Sequence, residues 1–136
     1  MNYLKKLLSA TLQSNELTFQ RLKYLSKLAN SSEDHISRLC MGLSISNGEI
    51  VKDWKPSILT NEEKEMTKNV KLLKGKTLFK DDLELWMALV LQYQEPNDYN
   101  QWRKIFISHW ERGVELLTEK AIKEKNWIKT LNSCIT

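Results

Sequence analysis

The triplet Gly75-Lys76-Thr77 is the part of the chain that most suggests phosphate chemistry, because it matches the end of the nucleotide-binding loop of many ATPases. Such a loop needs another glycine five residues earlier, so that successive backbone N–H groups turn toward the phosphate, and a buried strand before it. Val70 holds that position, and residues 68–74 have too few consecutive apolar side chains for such a strand. The triplet therefore does not predict an NTPase.

His109 is the side chain best suited to acid–base work, because histidine titrates near neutral pH. It lies on an aromatic and aliphatic stripe, and no carboxylate stands at a spacing that would orient it, which favours a hydrogen-bonded structural histidine. His35 follows Asp34 at a predicted helix start and is expected at the surface. No serine or cysteine has a recognisable base partner, so the sequence predicts a binding protein rather than an enzyme.

Asp81 and Asp82, with Glu84 close by, form the tight acidic cluster that could hold a magnesium ion. Their position at the start of a predicted helix gives them a structural reason, since carboxylates there satisfy free N–H groups and complement the helix dipole. The two histidines and two cysteines are too scattered for a zinc site. We therefore expect neither a metal nor another cofactor.

The two cysteines and the first residues bear on the compartment. Cys40 and Cys134 are isolated, as reduced thiols of a cytosolic protein often are. Residues 1–8 carry two lysines and scattered leucines, which is too little apolar sequence for a signal peptide or a membrane span. The expected location is the cytoplasm.

Helical periodicity begins early in the chain. From Phe19 to Ala29, apolar residues recur at three- and four-residue spacing, which predicts a helix over about 15–30. Three basic residues of this helix fall mostly off its apolar stripe: Arg21, Lys23 and Lys27.

A second helix is predicted to start at Ser31-Ser32, where the hydroxyls can cap it and the following acids suit its first turn. It runs to about Ser46 and ends at Asn47-Gly48. Cys40 lies on its apolar face and is interpreted as a small core residue.

Residues 47–78 are the least periodic part of the chain. Residues 62–67 could form a helical turn. Residues 70–73 and residues 9–13 could each form a short strand. Without repeats or linkers, the sequence predicts one mainly helical, all-α domain over its 136 residues.

The second half of the chain has stronger patterns. Leu83 to Leu91 is apolar nearly all the way round a helix, which predicts burial in the domain or in a subunit interface. A stripe from Trp102 to Leu117 predicts the next helix, in which Gly113 indicates a close backbone contact with a neighbouring helix. A last helix is predicted at about 119–132.

The net charge of +4 is modest, but lysines cluster. Between Met66 and Lys80 there is no acid, and the segment attracts polyanions, of which nucleic acid is abundant in the cytosol. A solvated loop explains the same composition equally well. The candidate DNA-contacting residues are this lysine set and three cations outside the apolar stripe of the Trp102 helix: Lys68, Lys71, Lys74, Lys76, Lys80, Arg103, Lys104 and Arg112.

Three stretches, in order, resemble the DNA sulfur modification protein DndE family. They are ISRLCMGLS at 36–44, GKTL at 75–78 followed by the apolar helix at 83–91, and HWERGVELL at 109–117. Each motif alone is only moderately specific, and their order and spacing over about residues 14–120 carry the resemblance.

The resemblance implies a small, mostly helical homotetramer of the bacterial DNA phosphorothioation machinery, in which sulfur replaces a non-bridging phosphate oxygen and which operates in restriction–modification. DndE-like proteins act there as DNA-binding accessories that prefer nicked duplex and bind it through surface lysines. The chemistry belongs to a sulfurtransferase-like and an ATPase-like subunit. The candidate cations above come from charge clustering and not from the resemblance.

Two other functions remain open from the sequence. A strand at 9–13 followed by two helices looks like a ribbon-helix-helix repressor, in which Ser9, Thr11 and Gln13 would face the bases. A nicking nuclease that uses Asp81 and Asp82 would break strands in a magnesium-dependent manner.

Overall fold

A computed structural model of the chain describes residues 16–51, 53–67, 83–91 and 99–135. All regular structure in these ranges is helical, which confirms the predicted all-α class. The strands considered at 9–13 and 70–73 lie outside the described residues, as do Asp81 and Asp82. The helices are α1 Glu16–Ala29, α2 Glu33–Ser46, α3 Asn61–Thr67, α4 Leu83–Leu91, α5 Tyr99–Glu124 and α6 Trp127–Ile135.

The ends of α1 and α2 follow from local chemistry, and their predicted bounds are confirmed. Asn30 adopts a left-handed φ of 50° after α1, a conformation that asparagine tolerates better than most residues. Ser32 caps α2, because its hydroxyl accepts the backbone N–H of His35 at 3.2 Å. Asn47 and Gly48, the latter at φ 90°, end the helix.

Helix α3 begins with a capping box formed by Thr60 and Glu63. The Thr60 hydroxyl accepts from the Glu63 backbone N–H at 3.1 Å, and the Glu63 carboxylate accepts from the Thr60 N–H at 3.2 Å. This reciprocal pair satisfies two backbone donors at the helix start, and the helical turn predicted at 62–67 is confirmed in a slightly longer form.

Helix α5 is the axis of the domain and packs against α1, α2, α3 and α6. One of its faces is fully buried over its length and meets Leu22 and Leu25 of α1 and Ile36, Cys40 and Met41 of α2. The α5 side chains on this face are Trp102, Phe106, Trp110, Val114, Leu117 and Ala121.

The predicted break near residue 119 was wrong, because α5 continues to Glu124. Its buried face extends past that point through Ala121 and Ile122, so packing favours continued helix. The turn comes at Lys125, with φ 57°, after which the Asn126 side chain accepts from the Lys129 N–H at 3.0 Å and caps α6.

Arg21 is another correction, since it was expected off the apolar stripe but is only 1% exposed. Its Nε donates to Glu63 Oε2 at 2.6 Å, and Nη2 donates to Glu63 Oε1 at 3.2 Å and to the Ser57 carbonyl at 2.9 Å. The carboxylate comes from α3, so a buried ion pair joins α1 to α3. A charge of this kind stays buried only because a partner and hydrogen bonds compensate for its lost hydration.

Helix α4 is less enclosed than its apolar sequence predicted. Val90 is fully buried, and Trp86 and Leu89 pack in part against the core. Leu85, however, is 59% exposed, and Ala88 is exposed too. Burial inside the described fold therefore accounts for only one face of this helix.

The predicted close contact at Gly113 is confirmed. A Cβ atom built on Gly113 of α5 would lie 1.9 Å from the Cys40 carbonyl oxygen of α2, far inside van der Waals contact. The offending atoms belong to a helix backbone, which cannot move aside as a flexible side chain would. Only glycine allows the two helices to approach this closely.

We predict that Gly113→Ala destabilises the domain by more than about 2 kcal/mol, because overpacking forces α2 and α5 apart. Gly42→Ala is the matched control: Gly42 is an exposed helical glycine with nothing within 4 Å of its would-be Cβ, and alanine there should stabilise by up to about 1 kcal/mol. Urea unfolding followed by circular dichroism measures both changes. Equal midpoints for the two variants would contradict the close contact.

Candidate nucleic-acid interface

The eight candidate DNA-contacting residues fall into three settings. Five of them, Lys68, Lys71, Lys74, Lys76 and Lys80, lie outside the described residues. The other three are on α5, where Arg103 and Lys104 border a surface cleft and Arg112 turns toward the end of α2. The structure therefore brings two of the predicted residues together.

Arg112 holds the carboxyl end of α2. Its Nε donates to the Ser44 hydroxyl at 2.9 Å, Nη2 donates to the carbonyls of Ser44 at 2.5 Å and Gly48 at 2.7 Å, and Nη1 donates to that of Glu49 at 3.0 Å. Carbonyls at a helix end lack partners within the helix, and a cation there complements the dipole. This internal role was not foreseen from the sequence, and a DNA contact by Arg112 stays a prediction.

The cleft has a volume of about 770 Å³ and lies between the start of α1, the segment 54–56 and the first half of α5. Its walls combine apolar, aromatic, cationic and polar side chains. The lining residues are Leu17, Trp54, Lys55, Pro56, Asn100, Arg103, Lys104, Ile107, Ser108 and Glu111.

The wall formed by residues 53–57 is fixed to the helices. Asp53 has a left-handed φ of 61°, and the Trp54 N–H donates to the Val51 carbonyl at 3.1 Å, which closes a turn. Both backbone groups of Ser57 are used: its N–H donates to Glu115 of α5 at 3.1 Å, and its carbonyl accepts from Arg21. An aperiodic segment is thus held rigidly against α1 and α5.

The net charge of the described lining residues is positive. Lys55 and Lys104 are exposed and Arg103 is half-buried, whereas Glu111 is the acid among the lining residues. The carboxylate of Glu111 is nearly buried and accepts from the Thr18 hydroxyl at 3.2 Å. Lys104 lies 3.4 Å from Asp53, but both are largely exposed, and such pairs contribute about 1 kcal/mol or less. The rim therefore offers cations to an anionic ligand.

Trp54 and Lys55 were not among the candidate residues from the sequence. Their segment lacks periodicity, so no pattern could place it against α5. Only the composition indicated a functional segment here. A tryptophan followed by a lysine and a proline lies in a long irregular stretch, and such stretches are often functional.

Two side chains with acid–base or nucleophilic potential, His109 and Cys40, are buried in the core. His109 is fully buried, its Nδ1 lies 2.9 Å from the Ser44 hydroxyl, and burial, with a smaller effect of the Arg112 charge, lowers its pKa to about 4. Burial likewise raises the pKa of the Cys40 thiol. Both residues lie in the core, as the apolar stripes predicted, and His35 is exposed as expected.

Within the described ranges, no group of three or more histidine, cysteine or acidic side chains is arranged to hold a metal ion. None of the described helices is both long and apolar enough to cross a membrane. Comparisons of the chain with protein-family models, with curated proteins and with solved structures give no match.

Proposed function

We propose that this chain is a DNA-binding accessory protein of the DNA phosphorothioation machinery and binds duplex or nicked DNA as a homo-oligomer. The observation that carries DNA binding is the cationic rim of the cleft, where Lys55, Arg103 and Lys104 stand beside one another. Lysine and arginine on a surface of this kind neutralise phosphates and release counterions, which makes binding strong and dependent on salt.

Binding without sequence preference follows from the chemistry of the rim. Phosphates repeat along every DNA sequence, so contacts to them position a protein but carry no base information. Lys55 and Lys104 are long, exposed side chains that adapt to a backbone rather than to one base edge. The lysines from Lys68 to Lys80 stay candidates for further phosphate contacts.

A non-catalytic role is supported by the burial of two potentially reactive side chains in the described core. His109 and Cys40 are sealed in the contact between α2 and α5, and burial keeps both in their uncharged forms near neutral pH. The sulfur chemistry would then belong to partner subunits, one sulfurtransferase-like and one ATPase-like. Two free cysteines suit a location in the reducing cytoplasm.

The pathway itself rests on the sequence resemblance to the DndE family. Two of the three stretches that carry it, at 36–44 and 109–117, face each other across the α2–α5 contact. The Trp110 indole donates to the Ser37 hydroxyl at 3.0 Å, and Arg112 bonds Ser44. The resemblance thus concerns residues that act together in the fold.

DNA binding is tested by replacing Lys55, Arg103 and Lys104 together with glutamine. The slope of log K against log salt should flatten by up to about 0.9 for each phosphate that is no longer neutralised, or by up to about 2.7 in all. Lys68, Lys71 and Lys74 replaced together should flatten it similarly, and each triple variant is measured by fluorescence anisotropy on one duplex.

The matched control removes three charges elsewhere, at Lys123, Lys125 and Lys129, which are exposed. Lys123 lies about 28 Å along α5 from Lys104, at the rise of an α-helix. If this control flattens the slope as much as the cleft variant does, net charge and not the cleft governs binding.

The oligomer is tested at α4, where exposed apolar surface suits a subunit contact. We predict that Leu85→Glu lowers the mass measured by light scattering after gel filtration, since a charge in an apolar interface costs several kcal/mol. Ile58→Glu is the control, because Ile58 is 80% exposed and lies in the segment before α3. An unchanged mass for Leu85→Glu would remove α4 from the interface.

The pathway is tested by purifying a tagged chain from the cells in which it is natively made. Co-elution with a sulfurtransferase-like and an ATPase-like protein is the expected result. If neither protein co-elutes although DNA binding is intact, the chain is a DNA-binding protein of another system.

A further inference from the structure

The tryptophans of the chain divide into two groups, and all five lie in the part that the structure describes. Trp102 and Trp110 belong to the core, and Trp86 and Trp127 pack against it. Trp54 differs, because it is half-buried in the wall of the cleft and is no member of the core cluster. Core packing therefore does not account for an aromatic ring at this position.

The surroundings of Trp54 suit a flat, partly apolar ligand. Leu17, Pro56 and Ile107 supply apolar lining, and Asn100 and Ser108 supply hydrogen-bonding groups. The turn at Val51 and the bonds of Ser57 hold the backbone on both sides of Trp54. A preformed site loses less conformational entropy on binding.

The cations complete a recognisable combination. An aromatic side chain lines the same cleft as Lys55, Arg103 and Lys104, and this matches the two parts of a nucleotide, a base that stacks and a phosphate that carries negative charge. The volume of about 770 Å³ is in the range of sites for molecules of this size. Bases inside an intact duplex have both faces covered by their neighbours, whereas an unpaired base offers a free face to a stacking ring.

We propose that the cleft binds an unpaired nucleotide of a DNA strand, with its base stacked on Trp54 and its phosphate on the cationic rim. This inference rests on the proposed DNA-binding function and adds to it a preference for exposed bases. Duplex binding through phosphates does not need the ring, so the two activities are separable by substitution at one residue.

The experiment compares Trp54→Leu, which removes the aromatic face, with Trp54→Phe, which keeps one. Each is titrated with a labelled single-stranded oligonucleotide of about ten deoxythymidines and with an unbroken blunt duplex, at one salt concentration. We expect Trp54→Leu to weaken single-strand binding roughly 5- to 150-fold, the range for removal of one stacked base. Trp54→Phe should retain most of it, and duplex binding should change by less than about twofold in both.

The outcomes separate this inference from the proposed function. If the wild-type chain binds neither DNA, the proposed function fails and this inference fails with it. If duplex binding is intact but both Trp54 variants bind the single strand like the wild type, only the stacking site is overturned. Circular dichroism melting checks that both variants fold, and a variant that melts early is replaced by Trp54→Tyr against Trp54→Met.

A free nucleotide also carries a base and a phosphate. A competition experiment therefore uses thymidine monophosphate and ATP. Displacement of the oligonucleotide by either one at micromolar concentration would show that the cleft serves a free nucleotide and would overturn the assignment to DNA. Failure of millimolar nucleotide to displace it supports a strand whose neighbouring phosphates also contribute.

Discussion

The rest of the fold depends on the approach of α2 to α5 at Gly113. With no side chain on Gly113, the backbone of α5 comes close to the Cys40 carbonyl, and the neighbouring side chains along both helices fall within hydrogen-bonding distance. Ser37 then meets Trp110, and Ser44 meets both His109 and Arg112. These polar groups are buried or partly buried, and each would be expensive to leave unpaired. The absence of a methyl group at Gly113 therefore permits several hydrogen bonds between α2 and α5.

Among the described residues, the stretches that carry the resemblance meet the candidate site only at Glu111, which lines the cleft. The stretches at 36–44 and 109–117 face each other on the packed side of α5, whereas Arg103 and Lys104 border the cleft nearer its start. Residues that position helices are constrained by their neighbours in the core. Lys55 and Lys104 are exposed and therefore less constrained by packing, so ligand preference can change here while the fold is kept.

Sequence periodicity was sufficient to predict most helices. It failed at a few residues, for physical reasons. Apolar spacing gave α1 and α2, and the cost of glycine in a helix pointed to Gly113 as a close contact. Arg21 and Arg112 looked like surface cations because their partners, Glu63 and Ser44, are distant in sequence. The cleft was missed for a related reason: Trp54 and Lys55 belong to an irregular segment, and only tertiary contacts bring them to α5.

The buried pair of Arg21 and Glu63 has a consequence for motion in the native state. Arg21 bonds α3 through Glu63 and the cleft wall through the Ser57 carbonyl, but the ion pair involves α3 alone. Detaching α3 breaks the pair, and loss of such a pair costs about 3–5 kcal/mol, which corresponds to an open population of about one molecule in 150 or fewer. Amide protons of α3 would then exchange with solvent in a single cooperative event, as one unit of local unfolding, whereas the Ser57 amide can exchange without opening the helix.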